Sequence, residues 1–469
     1  MNHDRLLRRH FGKILCVLNF ILGFMIWFQG SRMGLFSAPR PGMDQHTMLE
    51  AAMAVAKEGV LPVPGRYLYS PAYTLFLAAL AKLTGCLPPA MRLLQLAVSS
   101  LIPWMIFRTS VYAGFGRTSA AIAGIMWMFC GSALLISLDF LRAAPLALCF
   151  IALLYFFVRS LRRKTGLRQA AAAGIFAGLC VLGRENFIPV VCVPVIFWFF
   201  PAAKSSGKYR RTVIYALCAF LVALPVLTYN FHHTSSIAVL PGNGKNVFEF
   251  MQGKGALSSP FQAAAGVIRR MPGTVLAMIS PFENPNSLSL YAYREAIPAL
   301  KILCLPVTLL FALLFPALLF RSRTILLTEL LIGIYFSSLV FCEIYYRFRI
   351  PALPLLCVAG GAGAVQLAAL VKKRSVSVFF FFLPAAAALG LTAATVPERM
   401  IPRSEREATV RFLLDRRRFD QAGELLLRYR KCGVASPQGE RLLVVMLLKN
   451  GLRGDAAYWH AAFLSERTQ

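Results

Sequence analysis

Acidic residues are scarce in this chain, which has 20 Asp and Glu against 50 Lys and Arg in 469 residues. The formal net charge of +30 would suggest a nucleic-acid partner if the protein were soluble. The basic residues, however, gather in short clusters between long apolar runs, where the positive-inside rule places them in a membrane protein. The basic charge therefore indicates membrane topology, and we expect no nucleic-acid partner.

Paired cysteines and clustered histidines are also missing. The eleven cysteines contain no CxxC pair, and most lie inside or at the edges of apolar segments, which predicts buried apolar residues rather than disulfides. His46, His232 and His233 raise the question of a divalent ion, but we expect no two ligands at the i,i+4 spacing of a histidine and an acid that would place both on one helix face. We therefore expect neither a metal site nor a cofactor.

Apolar residues, in contrast, make up 58% of the chain, and the mean hydropathy is +0.62. Apolar runs of about 20 residues, the length needed to cross about 30 Å of hydrocarbon, recur throughout. They predict an all-α polytopic membrane protein with about eleven transmembrane helices. The first predicted span ends near Gly30, and the others cover residues 90–108, 118–138, 140–158, 169–183, 187–203, 212–230, 298–320, 324–342, 350–371 and 375–395.

The distribution of basic clusters predicts which loops lie on which side of the membrane. A basic N-terminus precedes an uncleaved first span, and together with the cluster at 159–168 it is predicted to be cytoplasmic. Loops 31–89 and 231–297 then lie on the exoplasmic side. This alternation requires residues 71–85, which are apolar but short, to form an interfacial helix rather than a crossing.

Two domains are predicted. Residues 1–395 form the transmembrane domain, and residues 396–469 form a polar, exoplasmic tail in which apolar residues recur at helical spacing. The tail is predicted to contain about four short helices, and it weakly resembles tetratricopeptide repeats.

Asp44 is the first acidic residue that the chain exposes after its first apolar segment. A carboxylate held at a membrane surface is a candidate general base. The alternative is that Asp44 caps the predicted helix at residues 45–57, since aspartate is a favoured N-cap and Glu50 also follows within the first turns.

A series of short motifs follows Asp44 in a recognisable order. It comprises Glu50, Gly65-Arg66-Tyr67-Leu68-Tyr69-Ser70-Pro71, Gly85, Ser137-Leu138-Asp139, Leu182-Gly183-Arg184, Leu224-Pro225, Gly242-Asn243-Gly244-Lys245-Asn246 and Tyr346-Arg347-Phe348-Arg349-Ile350-Pro351. Their order and spacing resemble the C-type integral membrane glycosyltransferases (GT-C). The branches they resemble most are the bacterial relatives of protein O-mannosyltransferases and the lipid A aminoarabinose transferase.

The resemblance implies a GT-C fold, a polyprenyl-phosphate sugar as donor, and Asp44 as the catalytic carboxylate. It also implies that a second acid, here Asp139, helps to shape the site; the alternative is that Asp139 caps the following helix. Some members of the family use divalent ions. Many also carry a second acid after the first and a lysine before the proline, where this chain has Gln45 and Ser70.

Without that lysine, the donor phosphate requires other cations. We assign this role to Arg66 and Arg184, because both are predicted to stand on the exoplasmic side beside apolar helices. The alternative for Arg184 is an interfacial anchor paired with Glu185.

Six further residues are candidates for substrate binding. Lys245 and Asn246 lie in a glycine-rich loop, which more often forms only a turn, and Arg347 and Arg349 lie at a span end, where arginines commonly reach the interface. The six candidates are Glu50, Tyr67, Lys245, Asn246, Arg347 and Arg349.

The function predicted from the sequence is an inverting membrane glycosyltransferase. It would transfer a sugar from a polyprenyl phosphate to an envelope lipid, glycan or protein on the exoplasmic face of a bacterial inner membrane. The competing prediction is a lipid or glycan transporter, or flippase. Transporters usually carry ionisable groups near the bilayer midplane, whereas we expect no charge near the centres of these spans.

Overall fold

The structure is a computed structural model. It describes residues 3–36, 39, 44–59, 70–162, 166–199, 207–235, 268–269, 271–275, 278–279, 290–303, 305, 307–320, 322–339, 346–373, 403–434 and 436–465. The predicted span at 375–395 and most of the predicted loop at 231–297 lie outside these residues.

The first half of the chain forms eleven helices. They are α1 (His3–Arg32), α2 (Asp44–Glu58), α3 (Pro71–Thr84), α4 (Pro88–Ser99), α5 (Ile102–Ala113), α6 (Arg117–Met128), α7 (Gly131–Ser137), α8 (Ala143–Arg162), α9 (Leu167–Gly183), α10 (Ile188–Phe199) and α11 (Lys208–Thr234). A 3-10 turn, Glu185–Phe187, joins α9 to α10.

The second half continues the helical architecture in shorter pieces. These are α12 (Leu290–Ala296), α13 (Ala299–Ile302), α14 (Val307–Ala312), α15 (Leu314–Ala317), α16 (Arg323–Leu339), α17 (Tyr346–Arg349), α18 (Leu353–Lys372), α19 (Arg403–Asp415), α20 (Phe419–Lys431), α21 (Pro437–Lys449) and α22 (Arg453–Ser465). A 3-10 turn, Ile350–Ala352, joins α17 to α18.

Long apolar helices confirm the prediction of a polytopic membrane protein. Five helical stretches of the described chain are long and apolar enough to cross a bilayer: His10–Arg32, Pro88–Ala113, Ala143–Leu161, Lys208–His233 and Arg347–Lys372. Four shorter apolar helices accompany them: Pro71–Thr84, Leu167–Gly183, Glu185–Phe199 and Val307–Ala317.

Besides the junction between α4 and α5 in the span predicted at 90–108, two predicted spans are not continuous helices. The segment predicted at 118–138 breaks between α6 and α7, and the one predicted at 298–320 breaks after α13. The breaks meet, because Gly131 N donates to Leu303 O at 2.9 Å and Leu305 N donates to Phe129 O at 3.0 Å. A Cβ atom at residue 131 would lie 2.2 Å from Leu303 O, so only glycine permits this approach.

Close packing of small residues positions α9 against α11. A Cβ atom on Gly174 would lie 2.3 Å from Tyr215 O, so the two helices approach each other through a residue without a side chain. This contact fixes α9, whose C-terminal end carries Arg184.

One expectation about the spans is wrong. Glu329 lies near the middle of α16 and is half-buried, so at least one predicted span carries an acidic residue near its centre. Glu329 is the only acidic residue in α16, whose other residues are mostly apolar.

The four C-terminal helices form their own hydrophobic cluster around Leu413, Leu426 and Leu447. Pro437 lies 34 residues after Arg403, and Arg453 lies 34 residues after Phe419. This spacing equals the length of a tetratricopeptide repeat of about 34 residues. The assignment of 396–469 as a separate domain remains a prediction.

Contacts with the transmembrane part anchor the C-terminal helices. Arg428 Nη2 lies 2.7 Å from Glu295 Oε2, and Arg416 donates to the carbonyl oxygens of Met33 and Gly34 at 3.3 Å. The ring of Phe412 packs on Tyr293 at a centroid distance of 5.8 Å. The tail therefore rests on the segment that follows α1, on the same side as the loop carrying Asp44.

Candidate active site

A cleft of about 360 Å³ lies where four elements end or begin. Asp44 is the first residue of α2, Arg142 precedes α8, Arg184 follows α9, and Arg347 lies in α17. The lining residues are Asp44, Met48, Leu141, Arg142, Ala143, Leu146, Arg184, Arg347, Phe348 and Pro351. Residues far apart in sequence thus meet at one end of the helical bundle.

Asp44 forms an ion pair with Arg347 across the cleft. The Arg347 guanidinium donates through Nη1 to Asp44 Oδ2, although 303 residues separate the two in the chain. The side chains are 23% and 15% exposed, so the pair is largely shielded but remains open to the cleft. Asp44 also stands in the first turn of α2, where the helix dipole favours a negative charge.

Arg184 is held in the cleft by an aromatic ring. Its guanidinium carbon lies 3.9 Å from the centroid of Phe348, and that of Arg347 lies 5.4 Å from the same centroid. In the described part of the chain Arg184 forms no salt bridge with Glu185, the partner that the anchor alternative required. The cation–π contact orients the guanidinium and leaves its hydrogen-bond donors available for a ligand.

Arg142 is a cleft residue that the sequence analysis missed. Its Nη1 donates to Gly183 O at 3.2 Å, which ties the start of α8 to the end of α9. Burial, followed by the charges of Arg184 and Arg347, lowers the pKa of the Arg142 guanidinium to about 9, so the group is still a cation at pH 7. The available signal was its position, three residues after Asp139 and among the first residues of the span predicted at 140–158.

The charge balance of the cleft favours an anionic ligand. Three guanidinium groups, on Arg142, Arg184 and Arg347, face one carboxylate, on Asp44, among the lining residues. Each guanidinium can donate two parallel hydrogen bonds to a phosphate or carboxylate, and a partly shielded site strengthens such bonds. The cleft can therefore hold an anion next to a group that accepts protons.

Asp139 lies behind Asp44 rather than in the cleft lining. It is only 5% exposed, and its carboxylate accepts hydrogen bonds from Gln45 Nε2 at 2.8 Å and from Phe140 N at 2.9 Å. Burial raises the pKa of the Asp139 carboxyl, an effect that the Gln45 hydrogen bond and the charge of Arg92 reduce. Because α8 begins only at Ala143, Asp139 is not the N-cap of that helix.

Gln45 thus links the second acid to the first. It follows Asp44 in α2 and is buried, with its amide directed to Asp139. Gln95 Nε2 supports the same loop by donating to the backbone oxygen of Asp139 at 2.6 Å, and Tyr73 Oη donates to Gln95 Oε1 at 2.8 Å. An amide at position 45 suits this place, since a carboxylate there would repel Asp139.

Glu50 and Arg349 lie away from the cleft lining. Glu50 Oε2 lies 3.1 Å from His46 Nδ1, an i,i+4 pair that the sequence analysis overlooked, and its side chain is 66% exposed. Arg349 is 2% exposed, and its Nη1 lies 3.4 Å from Met278 O. Within the described ranges, no group of three His, Cys, Asp or Glu side chains could hold a metal ion.

Four predicted site residues cannot be placed. Arg66, Tyr67, Lys245 and Asn246 lie outside the described residues, so their roles stay predictions.

Comparisons with known proteins support the resemblance. Residues 69–229 match the family model of the dolichyl-phosphate-mannose-protein mannosyltransferases. The solved structure of ArnT from Cupriavidus metallidurans bound to undecaprenyl phosphate aligns with a TM-score of 0.52 at 16% identity, covering 96% of this chain and 75% of that one. The apo oligosaccharyltransferase from Archaeoglobus fulgidus aligns with a TM-score of 0.51 at 12% identity, covering 82% of this chain and 55% of that one. No curated protein matches the sequence.

The two structural matches establish the fold. Both solved proteins are C-type glycosyltransferases, and their alignment with most of this chain confirms the GT-C fold expected from the motifs. The matched family model covers α3 to α10 and most of α11, a region that includes Arg142 and Arg184.

Proposed function

We propose that this protein is a membrane glycosyltransferase that transfers a sugar from a polyprenyl phosphate to an acceptor on the exoplasmic face of a bacterial inner membrane. The observation that carries the proposal is the cleft in which the Asp44 carboxylate stands beside three arginines. A proton acceptor and an anion site are the two groups that such a transfer requires.

The donor is inferred from the cations and from the matched proteins. ArnT of the comparison was solved with undecaprenyl phosphate, and the matched family model is named for a dolichyl-phosphate-linked sugar. Because this chain has the GT-C fold, our hypothesis is that it uses the same kind of donor. The arginines of the cleft fit the phosphate of such a lipid, and the surrounding apolar helices fit its chain.

The chemistry assigns separate tasks to the two kinds of residue. As the acceptor hydroxyl attacks the anomeric carbon, Asp44 takes its proton, and the bond between that carbon and the phosphate oxygen breaks. Attack from the side opposite the leaving phosphate inverts the anomeric configuration. Negative charge then grows on the phosphate, where Arg142 and Arg184 can stabilise it by bidentate hydrogen bonds. A cationic site of this kind makes a general acid unnecessary.

The ion pair between Asp44 and Arg347 would rearrange during the cycle. Arg347 donates to one oxygen of the Asp44 carboxylate, Oδ2, and there it competes with the proton of the acceptor hydroxyl. A donor phosphate entering the cleft would compete for Arg347, because phosphate also forms charge-assisted bonds with guanidinium groups. Donor binding would thereby release the base next to the substrate.

Asp139 then acts as a positioning residue. Its carboxylate accepts a hydrogen bond from Gln45, the residue that directly follows Asp44 in the first turn of α2. The network therefore holds the start of α2, and with it Asp44, against the end of α7.

The proposal is tested with full-length protein in lipid nanodiscs. Polyprenyl-phosphate sugars carrying a radioactive label are supplied together with an envelope extract as acceptor. We expect release of polyprenyl phosphate and transfer of label to an envelope lipid, glycan or protein, which mass spectrometry then identifies. If every donor tested remains intact in the presence of folded protein and extract, the proposed function is wrong.

The competing function is a lipid or glycan transporter. The half-buried Glu329 near the middle of α16 is the observation that favours it, since ionisable groups inside spans often belong to transport pathways. Movement of a labelled polyprenyl-phosphate sugar across a proteoliposome membrane, with the sugar still attached, would support transport over transfer.

A further inference from the structure

A second arginine cluster lies at the opposite end of the bundle from the cleft. Arg142, at the cleft, precedes Arg159 by 17 residues along α8. At about 1.5 Å per residue this separation is about 25 Å, close to the thickness of the hydrocarbon layer of about 30 Å. Arg159 therefore lies near the other membrane surface.

Arg108 of α5 meets Arg159 of α8 on one aromatic ring. The guanidinium carbons lie 5.1 Å and 5.2 Å from the centroid of Tyr112. Arg108 Nη2 donates to Tyr112 Oη at 3.0 Å, and Arg159 Nη1 donates to Tyr155 Oη at 3.0 Å. Aromatic groups rather than carboxylates thus hold two positive charges at the same ring.

Among the described helices from α3 to α11, no carboxylate neutralises the two guanidinium groups. Between residues 59 and 248 the only acidic residues are Asp139 and Glu185, and both lie at the cleft end of the bundle. In the described part of the chain neither Arg108 nor Arg159 forms a salt bridge. The Nε atoms of both are shielded from solvent and have no hydrogen-bond partner among the described residues.

This arrangement calls for an anion from outside the chain. Two like charges held near each other repel, and partly desolvated guanidinium groups gain more from a phosphate than solvated ones do. The position at a membrane surface, between apolar helices, suits an anion attached to a lipid. The partly exposed ring of Tyr112 can also contact the glycerol and the first acyl carbons.

We propose that Arg108 and Arg159, supported by Tyr112 and Tyr155, bind the phosphate of an anionic phospholipid on the membrane face opposite the cleft. The site is independent of sugar transfer and would hold its lipid whether or not a donor occupies the cleft.

The test is native mass spectrometry of the full-length protein in detergent. Phosphatidylglycerol is titrated against the wild type and an Arg108→Gln/Arg159→Gln variant, with phosphatidylcholine of the same chain length as a neutral comparison. We expect the wild type to bind one more phosphatidylglycerol than the variant, with an affinity for that lipid at least about tenfold higher. Phosphatidylcholine should not show this difference.

A matched control removes two other arginines from the same end of the bundle. Arg117 at the start of α6 and Arg168 at the start of α9 are both exposed, so Arg117→Gln/Arg168→Gln lowers the charge equally without touching Tyr112. This variant should keep the bound lipid. Equal loss in both variants would show a general charge effect and overturn the proposal.

Two further arms keep the test decisive. Millimolar inorganic phosphate should leave phosphatidylglycerol bound; displacement would make the site one for free phosphate and refute the lipid assignment. An Arg108→Lys/Arg159→Lys variant keeps both charges if the glutamine variant fails to fold. It should bind several-fold more weakly than the wild type, because lysine lacks the fork of donors. Unchanged binding would overturn the assignment to the guanidinium pair.

Discussion

Replacing Asp44 by asparagine separates its structural role from its proposed role as a base. Asparagine is as good a helix N-cap as aspartate, and its amide oxygen can still accept a hydrogen bond from Arg347. It cannot accept a proton at neutral pH. We therefore expect Asp44→Asn to fold and to bind donor while losing most of its transfer activity.

The structure sets the two magnitudes. The ion pair with Arg347 is partly exposed, so loss of its charge should cost about 1 kcal/mol of stability. Loss of a positioned base should slow transfer by about 100-fold or more, which is about 2.7 kcal/mol or more of activation free energy. A domain with about 5–15 kcal/mol of stability remains folded after the smaller loss, so unfolding would not account for the larger one.

The assay follows turnover of a labelled polyprenyl-phosphate sugar in nanodiscs, beside thermal unfolding of the same preparations. Glu50→Gln is the matched control, since it also removes one carboxylate from α2 but at an exposed position outside the cleft lining. The control should retain turnover within about threefold of the wild type, as expected for a surface change. Ordinary turnover in Asp44→Asn would refute Asp44 as the base and leave the GT-C fold unaffected.

Three further predictions concern the cations, the buried acid and the topology. Arg184→Ala should raise the KM for donor by about tenfold. Arg184→Lys should raise the KM less, but still above the wild-type value, because lysine lacks the bidentate fork and stacks less well on Phe348. An unchanged KM in both variants would show that the phosphate binds elsewhere. Since burial raises the pKa of the Asp139 carboxyl, ionisation of this group destabilises the folded protein as the pH rises above the ordinary aspartate pKa of about 4. Asp139→Asn should therefore lower the thermal midpoint less at pH 8 than at about pH 4, and the reverse order would contradict the raised pKa. Single cysteines at the exposed positions Glu58 and Lys449 should react with an impermeant thiol reagent added outside cells, whereas a cysteine at Arg117 should stay protected. The opposite labelling pattern would place the cleft on the cytoplasmic side.

Much of this protein was determined by the sequence itself, because membrane insertion depends on local composition. Apolar runs and basic clusters are continuous along the chain, so they predicted an all-helical membrane protein without any knowledge of contacts. The motifs around Asp44 and Arg184 predicted the GT-C fold and two of the cleft residues. The scarcity of acids made Asp44 stand out.

The tertiary structure decided which residues meet. Arg347 was predicted only as a candidate for substrate binding, yet it pairs with Asp44 across 303 residues of sequence. Arg142 was missed because its role depends on Gly183, which lies on another helix. Gln45 looked like a departure from the family pattern, until its hydrogen bond to Asp139 showed why an amide is suited to that place. The breaks at Gly131 and Leu303 likewise arise from a contact between distant segments. Local patterns determine which segments become helices, whereas ion pairs, hydrogen bonds and close backbone approaches between distant segments depend on how those helices pack.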